Sequence, residues 1–326
     1  MVDIIITSHG IKKYLTISHL VMVGALVFFV FSFNRFDAVA QVPPNTEVFM
    51  ADIRIANGNF EVLQVKNVSE NEGYDSQPSF SPDGQSLLYA SNRGGETDII
   101  MTSVWSLNKI WLTDTPNRSE YSPQLRPGHQ QVSYVTLTPD GVQDFRVQEL
   151  PGSVSTRKEQ IIEAEEIIGY YTWINESDYL CFVLPTSESP TTLQWHQGFG
   201  MGMGDVTKQV MQSNPGRSFH QVPDSDLISF IDKTTEPWQI NLWNPASGDR
   251  EVYAPTLEGS EDMAWLPDGQ AIMASGSIIY FWNSTQWQPL MDLSSAGVTN
   301  ITRLAVNKKG EKLAFVGELS ARDASN

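Results

Sequence analysis

The chain alternates short apolar runs with tight turns. The clearest unit, residues 80–89, reads Phe-Ser-Pro-Asp-Gly-Gln-Ser-Leu-Leu-Tyr, and residues 264–273 repeat it as Ala-Trp-Leu-Pro-Asp-Gly-Gln-Ala-Ile-Met. Because Pro-Asp-Gly favours a turn and the flanking runs are apolar, each unit predicts a β-hairpin. Residues 159–168 are the best candidate for a helix, but their β-branched content leaves helix or strand open.

Weaker copies of this hairpin follow the same plan at residues 125–134, 173–182, 222–230 and 306–315. The six turns are separated by 45, 48, 48, 44 and 41 residues. A period in the forties with four short strands per unit is typical of a propeller blade. The turn positions used for this spacing are Pro82, Pro127, Asn175, Pro223, Pro267 and Lys308.

Each hairpin is followed by two further predicted strands. The third strands are expected at 98–101, 144–148, 192–196, 239–243 and 277–282, and the fourth at 109–112, 158–162, 206–210, 250–253 and 287–291.

The sixth hairpin ends near residue 316 without these strands, whereas residues 47–52 and 60–66 resemble a third and a fourth strand without a hairpin. Joining the two ends completes a blade and leaves no open edge in the ring. The sequence therefore predicts an all-β, six-bladed propeller of four-stranded antiparallel blades over residues 46–326, closed by the N-terminal strands.

The first 40 residues resemble an export signal. Lys12 and Lys13 precede an uncharged apolar run, and Ala38-Val39-Ala40 supplies the small residues of a cleavage site. We expect a signal peptide at 1–40. The alternative is an uncleaved membrane anchor, since residues 14–34 are uncharged and long enough to span a bilayer. Either reading predicts a periplasmic or secreted protein, with membrane contact only if the leader is retained.

Charge excludes some partners. The net charge is −17; the first 40 residues hold three of the 21 Lys and Arg and two of the 38 Asp and Glu, so the remainder carries −18. Nucleic-acid affinity rests on basic groups, and an anionic membrane surface attracts them, so neither ligand is expected. The single cysteine, Cys181, excludes an internal disulfide.

Motifs for catalysis or cofactors are missing from the sequence. There is no Gly-x-Ser-x-Gly elbow, no His-Glu-x-x-His and no phosphate-binding loop. After residue 40 the only histidines are His129, His196 and His220, which fall in different parts of different blades. We therefore expect no metal and no cofactor, and we favour a binding protein over an enzyme.

Residues 77–99 and 259–269 resemble the repeat of the TolB-type, WD40-like β-propellers. The resemblance implies a periplasmic propeller that acts by binding. It does not extend to the α/β domain that precedes the propeller in TolB, because only five residues separate Ala40 from the first strand region. The repeat specifies a blade and says little about function.

In a propeller, the loops that lead into the innermost strands are expected to form one mouth of the central channel. They bring polar and aromatic side chains together, as a ligand site requires. The alternative is structural, with charges that pair across the channel. The candidate ligand-binding residues are Tyr74, Asp75, Glu120, Tyr121, Tyr170, Arg217, His220, Glu261, Asp262 and Arg303.

Two functions remain open on these residues. The favoured one is a non-enzymatic scaffold, expected to be monomeric, that binds an envelope protein or peptide, with a carbohydrate as another possible ligand. The alternative is an enzyme that processes a small molecule or carbohydrate, of lyase or hydrolase type, at the channel mouth.

Five tryptophans recur at strand positions and are expected to pack between blades: Trp111, Trp173, Trp243, Trp265 and Trp282.

Overall fold

The computed structural model describes residues 44–56, 59–152, 159–201 and 206–320. The predicted signal peptide, residues 1–40, lies outside these ranges, as do the last six residues of the predicted propeller. The described residues form 24 strands in six four-stranded antiparallel sheets. The predicted six-bladed all-β propeller is confirmed. No helix in the described ranges is long and apolar enough to cross a membrane.

The described part of the chain begins with two strands of the last blade, β1 (Glu47–Ala56) and β2 (Asn59–Asn67). Blade 1 follows with β3 (Asp75–Phe80), β4 (Ser86–Arg93), β5 (Glu96–Ser103) and β6 (Lys109–Trp111). Blade 2 holds β7 (Ser119–Leu125), β8 (Gln131–Leu137), β9 (Gln143–Glu149) and β10 (Glu159–Glu163). Blade 3 holds β11 (Ile168–Trp173), β12 (Tyr179–Val183), β13 (Thr192–Gln197) and β14 (Thr207–Ser213).

Blade 4 holds β15 (Pro215–Gln221), β16 (Ile228–Asp232), β17 (Gln239–Trp243) and β18 (Arg250–Pro255). Blade 5 holds β19 (Met263–Trp265), β20 (Ala271–Ser275), β21 (Ile278–Trp282) and β22 (Trp287–Asp292), followed by a short 3-10 helix at Ser294–Ala296. The chain then returns to the last blade with β23 (Val298–Val306) and β24 (Lys312–Leu319). The ambiguous stretch 159–168 is therefore strand β10 and an irregular turn, not a helix.

Blade 6 closes the ring with strands from both ends of the described chain. Its order is β2-β1-β24-β23, so β1 lies inside the sheet. The antiparallel ladder between β1 and β24 runs from Glu47 opposite Gly317 to Asp52 opposite Lys312. The predicted closure by the N-terminal strands is confirmed.

The hydrophobic core consists of six clusters, and each cluster combines residues of two neighbouring blades. The five repeated tryptophans lie in these clusters or against them, as expected. Trp173 Nε1 donates to Ser133 Oγ of the preceding blade at 2.8 Å, and Trp265 Nε1 donates to Ser229 Oγ at 2.9 Å. These indoles therefore fill the space between blades while their N–H groups stay hydrogen-bonded. Cys181 is a free thiol buried in one of the clusters.

Candidate functional site

Six of the predicted mouth residues come together, one from the innermost strand region of each blade. We call them the axial cluster, and its members are Tyr74, Tyr121, Tyr170, Arg217, Asp262 and Arg303. Arg303 Nη2 donates to the Tyr170 hydroxyl at 3.0 Å, although these residues belong to blades 6 and 3. Because those blades face each other across the ring, this contact has to pass through the axis.

Bulges in the innermost strands direct these side chains. The ladders of β3, β7, β11, β15 and β23 with their second strands all shift register near the cluster, for example between Tyr121 and Gln124. An extra residue in one strand bends it and re-aims the side chains that follow. Arg303 has a φ of 55°, a left-handed conformation that costs a non-glycine residue about 1 kcal/mol or more.

Asp262 is the only carboxylate in the axial cluster. Arg217 donates two hydrogen bonds to it, from Nε to Oδ1 at 3.0 Å and from Nη2 to Oδ2 at 2.6 Å. Arg303 Nη1 lies 3.6 Å from the same Oδ1. Burial acts to raise the pKa of Asp262, but the two guanidinium groups outweigh it and hold that pKa well below its usual range. Two arginines therefore share one carboxylate, and the cluster carries an excess positive charge.

The tyrosines form the other half of the axial cluster. The rings of Tyr74 and Tyr121 meet edge to face with centroids 6.3 Å apart. The Arg303 guanidinium also lies over the Tyr170 ring, 4.8 Å from its centroid. All three tyrosines are half-buried. The site thus combines phenol hydroxyls and a guanidinium group, which are hydrogen-bond donors suited to an anionic oxygen ligand.

His220 borders the axial cluster but is held by structural contacts. Its Nε2 lies 2.9 Å from Ser218 Oγ, and that hydroxyl also lies within 3.2 Å of the backbone N and O of Met263. Burial lowers the pKa of His220 to about 4, against smaller opposing effects of the Met263 backbone and Asp262. The imidazole is therefore neutral at pH 7 and adds no charge to the site.

The remaining three predicted residues are engaged by partners outside the axial cluster. Asp75 is fully buried and accepts a hydrogen bond from Asn71 Nδ2 at 3.2 Å. Glu120 is fully buried and accepts one from Arg118 Nε at 2.8 Å. Glu261 pairs with Lys233 Nζ at 2.8 Å, and its Oε2 also accepts a hydrogen bond from the backbone N–H of Arg217 at 3.3 Å. The structure thus keeps Asp75 and Glu120 apart from the six axial side chains, whereas Glu261 borders Arg217.

Sequence reasoning missed several partners of these residues. Ser218 lies on β15 and contacts the backbone of Met263 on β19, whereas Lys233 directly follows β16 and pairs with Glu261 just before β19. Neither occurs in a recognisable motif. Arg118 also pairs with Glu159, 41 residues away, at 2.8 Å. Packing between blades 4 and 5 or strand pairing within blade 2 brings these residues together, so a search confined to neighbouring positions has no signal for them.

Two buried carboxyl groups predict a stability that declines as the pH rises. Burial raises the pKa of Asp75 to about 6 and that of Glu120 to about 7. A carboxyl group whose pKa is higher in the folded than in the unfolded chain favours folding while protonated, and this stabilisation is lost as pH climbs through the folded pKa. We expect Asp75→Asn to raise the free energy of unfolding at pH 8 by about 2 kcal/mol relative to wild type.

Urea denaturation between pH 4 and pH 8 tests this expectation. Wild type should lose stability across the interval, and the Asp75→Asn and Glu120→Gln variants should each lose less. Asp226→Asn is a suitable control because Asp226 is exposed. Parallel pH profiles of wild type and both variants would contradict the prediction.

Within the described ranges, no group of three or more His, Cys, Asp or Glu side chains is arranged to hold a metal ion. In particular, His196 is fully buried between the Tyr179 hydroxyl at 3.0 Å and Gln194 Oε1 at 3.1 Å. Both ring nitrogens of His196 therefore have a hydrogen-bonding partner in the core, away from the axial cluster.

Comparison with solved structures finds propellers at low sequence identity. A protein provisionally named TolB from Agrobacterium tumefaciens aligns with a TM-score of 0.61 and 12% identity over 84% of this chain and 98% of that one. A gluconolactonase from Xanthomonas campestris gives 0.55 and 10% over 86% and 98%. An oligogalacturonate lyase in complex with manganese gives 0.51 and 11% over 81% and 83%.

At these identities the likeness shows the fold alone, a TolB-type six-bladed propeller. No protein-family model matches the sequence, and a search of the curated proteins gave no match either. Because the structural neighbours include enzymes as well as TolB, the functional argument has to rest on the side chains of this chain.

Proposed function

We propose that this protein is an exported propeller that binds a protein or peptide partner outside the cytoplasm, without catalysing a reaction on it. The observation that carries the proposal is the axial cluster. Six blades each contribute one side chain to a half-buried site, and none of the six is a nucleophile poised beside a base. Convergent aromatic and charged groups at a concave mouth suit recognition of a ligand.

The charges of the cluster favour a carboxylate on that partner. Asp262 accepts two hydrogen bonds from Arg217, whereas Arg303 makes only a long contact of 3.6 Å with that carboxylate and a hydrogen bond to a phenol. A ligand carboxylate beside Arg303 would gain a charge-assisted hydrogen bond and neutralise the excess positive charge. An acidic side chain or a C-terminal carboxylate of the partner supplies this group.

Crosslinking in the native envelope tests the proposal. A photoreactive residue in place of Tyr121 should capture a specific partner, which mass spectrometry then identifies. We expect Arg303→Met to reduce the affinity for that partner by about tenfold or more, since a buried charged hydrogen bond is lost. Binding should also weaken as salt is added.

Arg250→Met is the matched control. Arg250 is an exposed arginine of β18 outside the axial cluster, so its loss should leave capture unchanged. Two outcomes would count against a binding site at the mouth. One is that the Arg303→Met variant captures the partner equally well, and the other is that capture occurs at an exposed position such as Val252 but not at Tyr121.

A second candidate is an enzyme that acts on a small molecule or carbohydrate, and one contact favours it. Ser218 Oγ and His220 Nε2 are 2.9 Å apart at the edge of the cluster, the separation of a nucleophile and its base. The purified protein would then turn over a sugar lactone or an oligogalacturonide. Loss of this turnover in the His220→Ala variant, at an unchanged melting temperature, would favour this function over binding alone.

A further inference from the structure

The hairpin of β1 and β2 is longer than the rest of blade 6. β24 pairs with β1 only as far as Asp52, and the Ile53 N–H then donates to the Glu311 carbonyl at 3.0 Å. From Arg54 to Ala56, β1 pairs with β2 alone. Since backbone groups of residues two apart in a strand point the same way, the N–H and C=O of Ile55 face the side on which β24 has ended.

A groove lies along this open edge, at the end of the ring where the hairpin turns of the innermost strands lie. It has a volume of about 700 Å³, within the range of ordinary ligand sites. Ile55 and Leu63 contribute from blade 6, and Trp105 of blade 1 forms part of its wall. Leu63 and Trp105 are 55% and 57% exposed, so the groove presents apolar surface to solvent.

A smaller cavity of about 200 Å³ shares Ile55 and Asp268 with this groove. Phe60, Phe281 and Leu290 line it together with the polar residues Asp268 and Gln270. The open edge therefore has space for an apolar side chain beside it. We call the two cavities together the blade 6 groove.

The charges of the groove are only partly balanced. Lys312 is paired with Asp52, and its ammonium group lies 4.4 Å from the centre of the Trp105 ring. Arg54 and Lys309 line the groove as well, and Arg54 is paired with Glu61. The carboxylates of Asp268 and Glu311 and the ammonium group of Lys309 make no ion pair with any described residue, so one negative charge is left in excess. In a chain of net charge −17, the two carboxylates are suited to a basic side chain.

We propose that the blade 6 groove binds an extended, basic and apolar polypeptide segment of another protein as a strand added to β1. The backbone of the segment would pair with Ile55, an apolar side chain would enter the smaller cavity, and a Lys or Arg would lie beside Asp268 and Glu311. Main-chain hydrogen bonds supply affinity and alternate side chains supply specificity in this mode. The groove is separate from the axial cluster, so the proposal does not rest on the function proposed above.

A peptide with a fluorescein label and the sequence Lys-Val-Thr-Phe-Thr-Lys tests the proposal by fluorescence anisotropy. We expect a Kd below about 1 mM for the full chain. Methylating the peptide nitrogens at odd or at even positions removes the N–H groups on one edge only. One of the two methylated peptides should bind about tenfold more weakly or worse, and the other should bind like the parent. Equal binding of the two, or no binding of the parent, would overturn the proposal.

Variants separate this groove from other sites. Trp105→Ala and Asp268→Asn should each weaken binding several-fold without loss of fold, because both side chains lie on turns. Arg303→Met, at the axial cluster, should leave it unchanged. If the Arg303 variant abolishes peptide binding, the peptide occupies the channel mouth instead. If Trp105→Ala instead removes self-association of the chain in light scattering, the occupant is a second copy; either result overturns the proposal.

Discussion

Replacing Asp262 with alanine is expected to lower the free energy of unfolding at pH 7 by about 3 kcal/mol or more. Arg217 and Arg303 are only 19% and 15% exposed, and the substitution leaves both guanidinium groups without their shared carboxylate. An uncompensated charge in a half-buried site costs far more than a solvent-exposed one. Urea denaturation followed by tryptophan fluorescence measures the change.

The pH dependence of this loss is a second readout. Because the pKa of Asp262 is lower in the folded chain than in the unfolded one, the carboxylate stabilises the fold above the unfolded pKa of about 4. That stabilisation is lost as pH falls further, so wild type and variant should converge in acid. Glu61→Ala, which breaks the exposed pair with Arg54, should cost under about 1 kcal/mol. A similarly small loss for Asp262→Ala would mean that solvent screens the axial charges.

The blade pattern was predictable because residues close together in the sequence determine each hairpin. A turn with Pro-Asp-Gly between two apolar runs fixes a hairpin without reference to the rest of the chain, as at residues 80–89. The predicted third strand 239–243 coincides with β17 (Gln239–Trp243). Closure of the ring followed from the hairpin left over at one end and the two strands left over at the other.

The site was only partly predictable because it depends on register. Tyr74 and Asp75 are adjacent, yet the first joins the axial cluster and the second hydrogen-bonds Asn71. Neighbouring residues of a strand point to opposite faces, and each bulge changes which of them faces inward. The pairing of Tyr170 with Arg303, 133 residues apart, depends on six blades closing one ring. No spacing in the sequence carries that information.

Removing the N-terminal strands is expected to abolish cooperative folding. A chain of residues 73–320 lacks β1, which lies between β24 and β2 and buries Val48, Phe49, Met50 and Ala51 almost completely. Burial of a large apolar side chain contributes about 1.5–3 kcal/mol, so the loss of Val48, Phe49 and Met50 alone is comparable to the whole stability of an ordinary domain, about 5–15 kcal/mol. It also exposes β24 as an unpaired edge that invites aggregation. Calorimetry should show no cooperative transition.

A circular permutant is the matched control, because it keeps every blade while it changes the order of the strands. It would run from Gly73 to Ser320, continue through a short linker to Pro44, and end at Glu72. The pairing of Glu47 with Gly317 places the two joined ends side by side, and Glu72 is exposed where the new termini would lie. This permutant should melt cooperatively within a few degrees of the unpermuted residues 44–320. If the truncated chain melts as the permutant does, five blades are sufficient and closure contributes little; if both fail, continuity between Glu72 and Gly73 is itself required for folding.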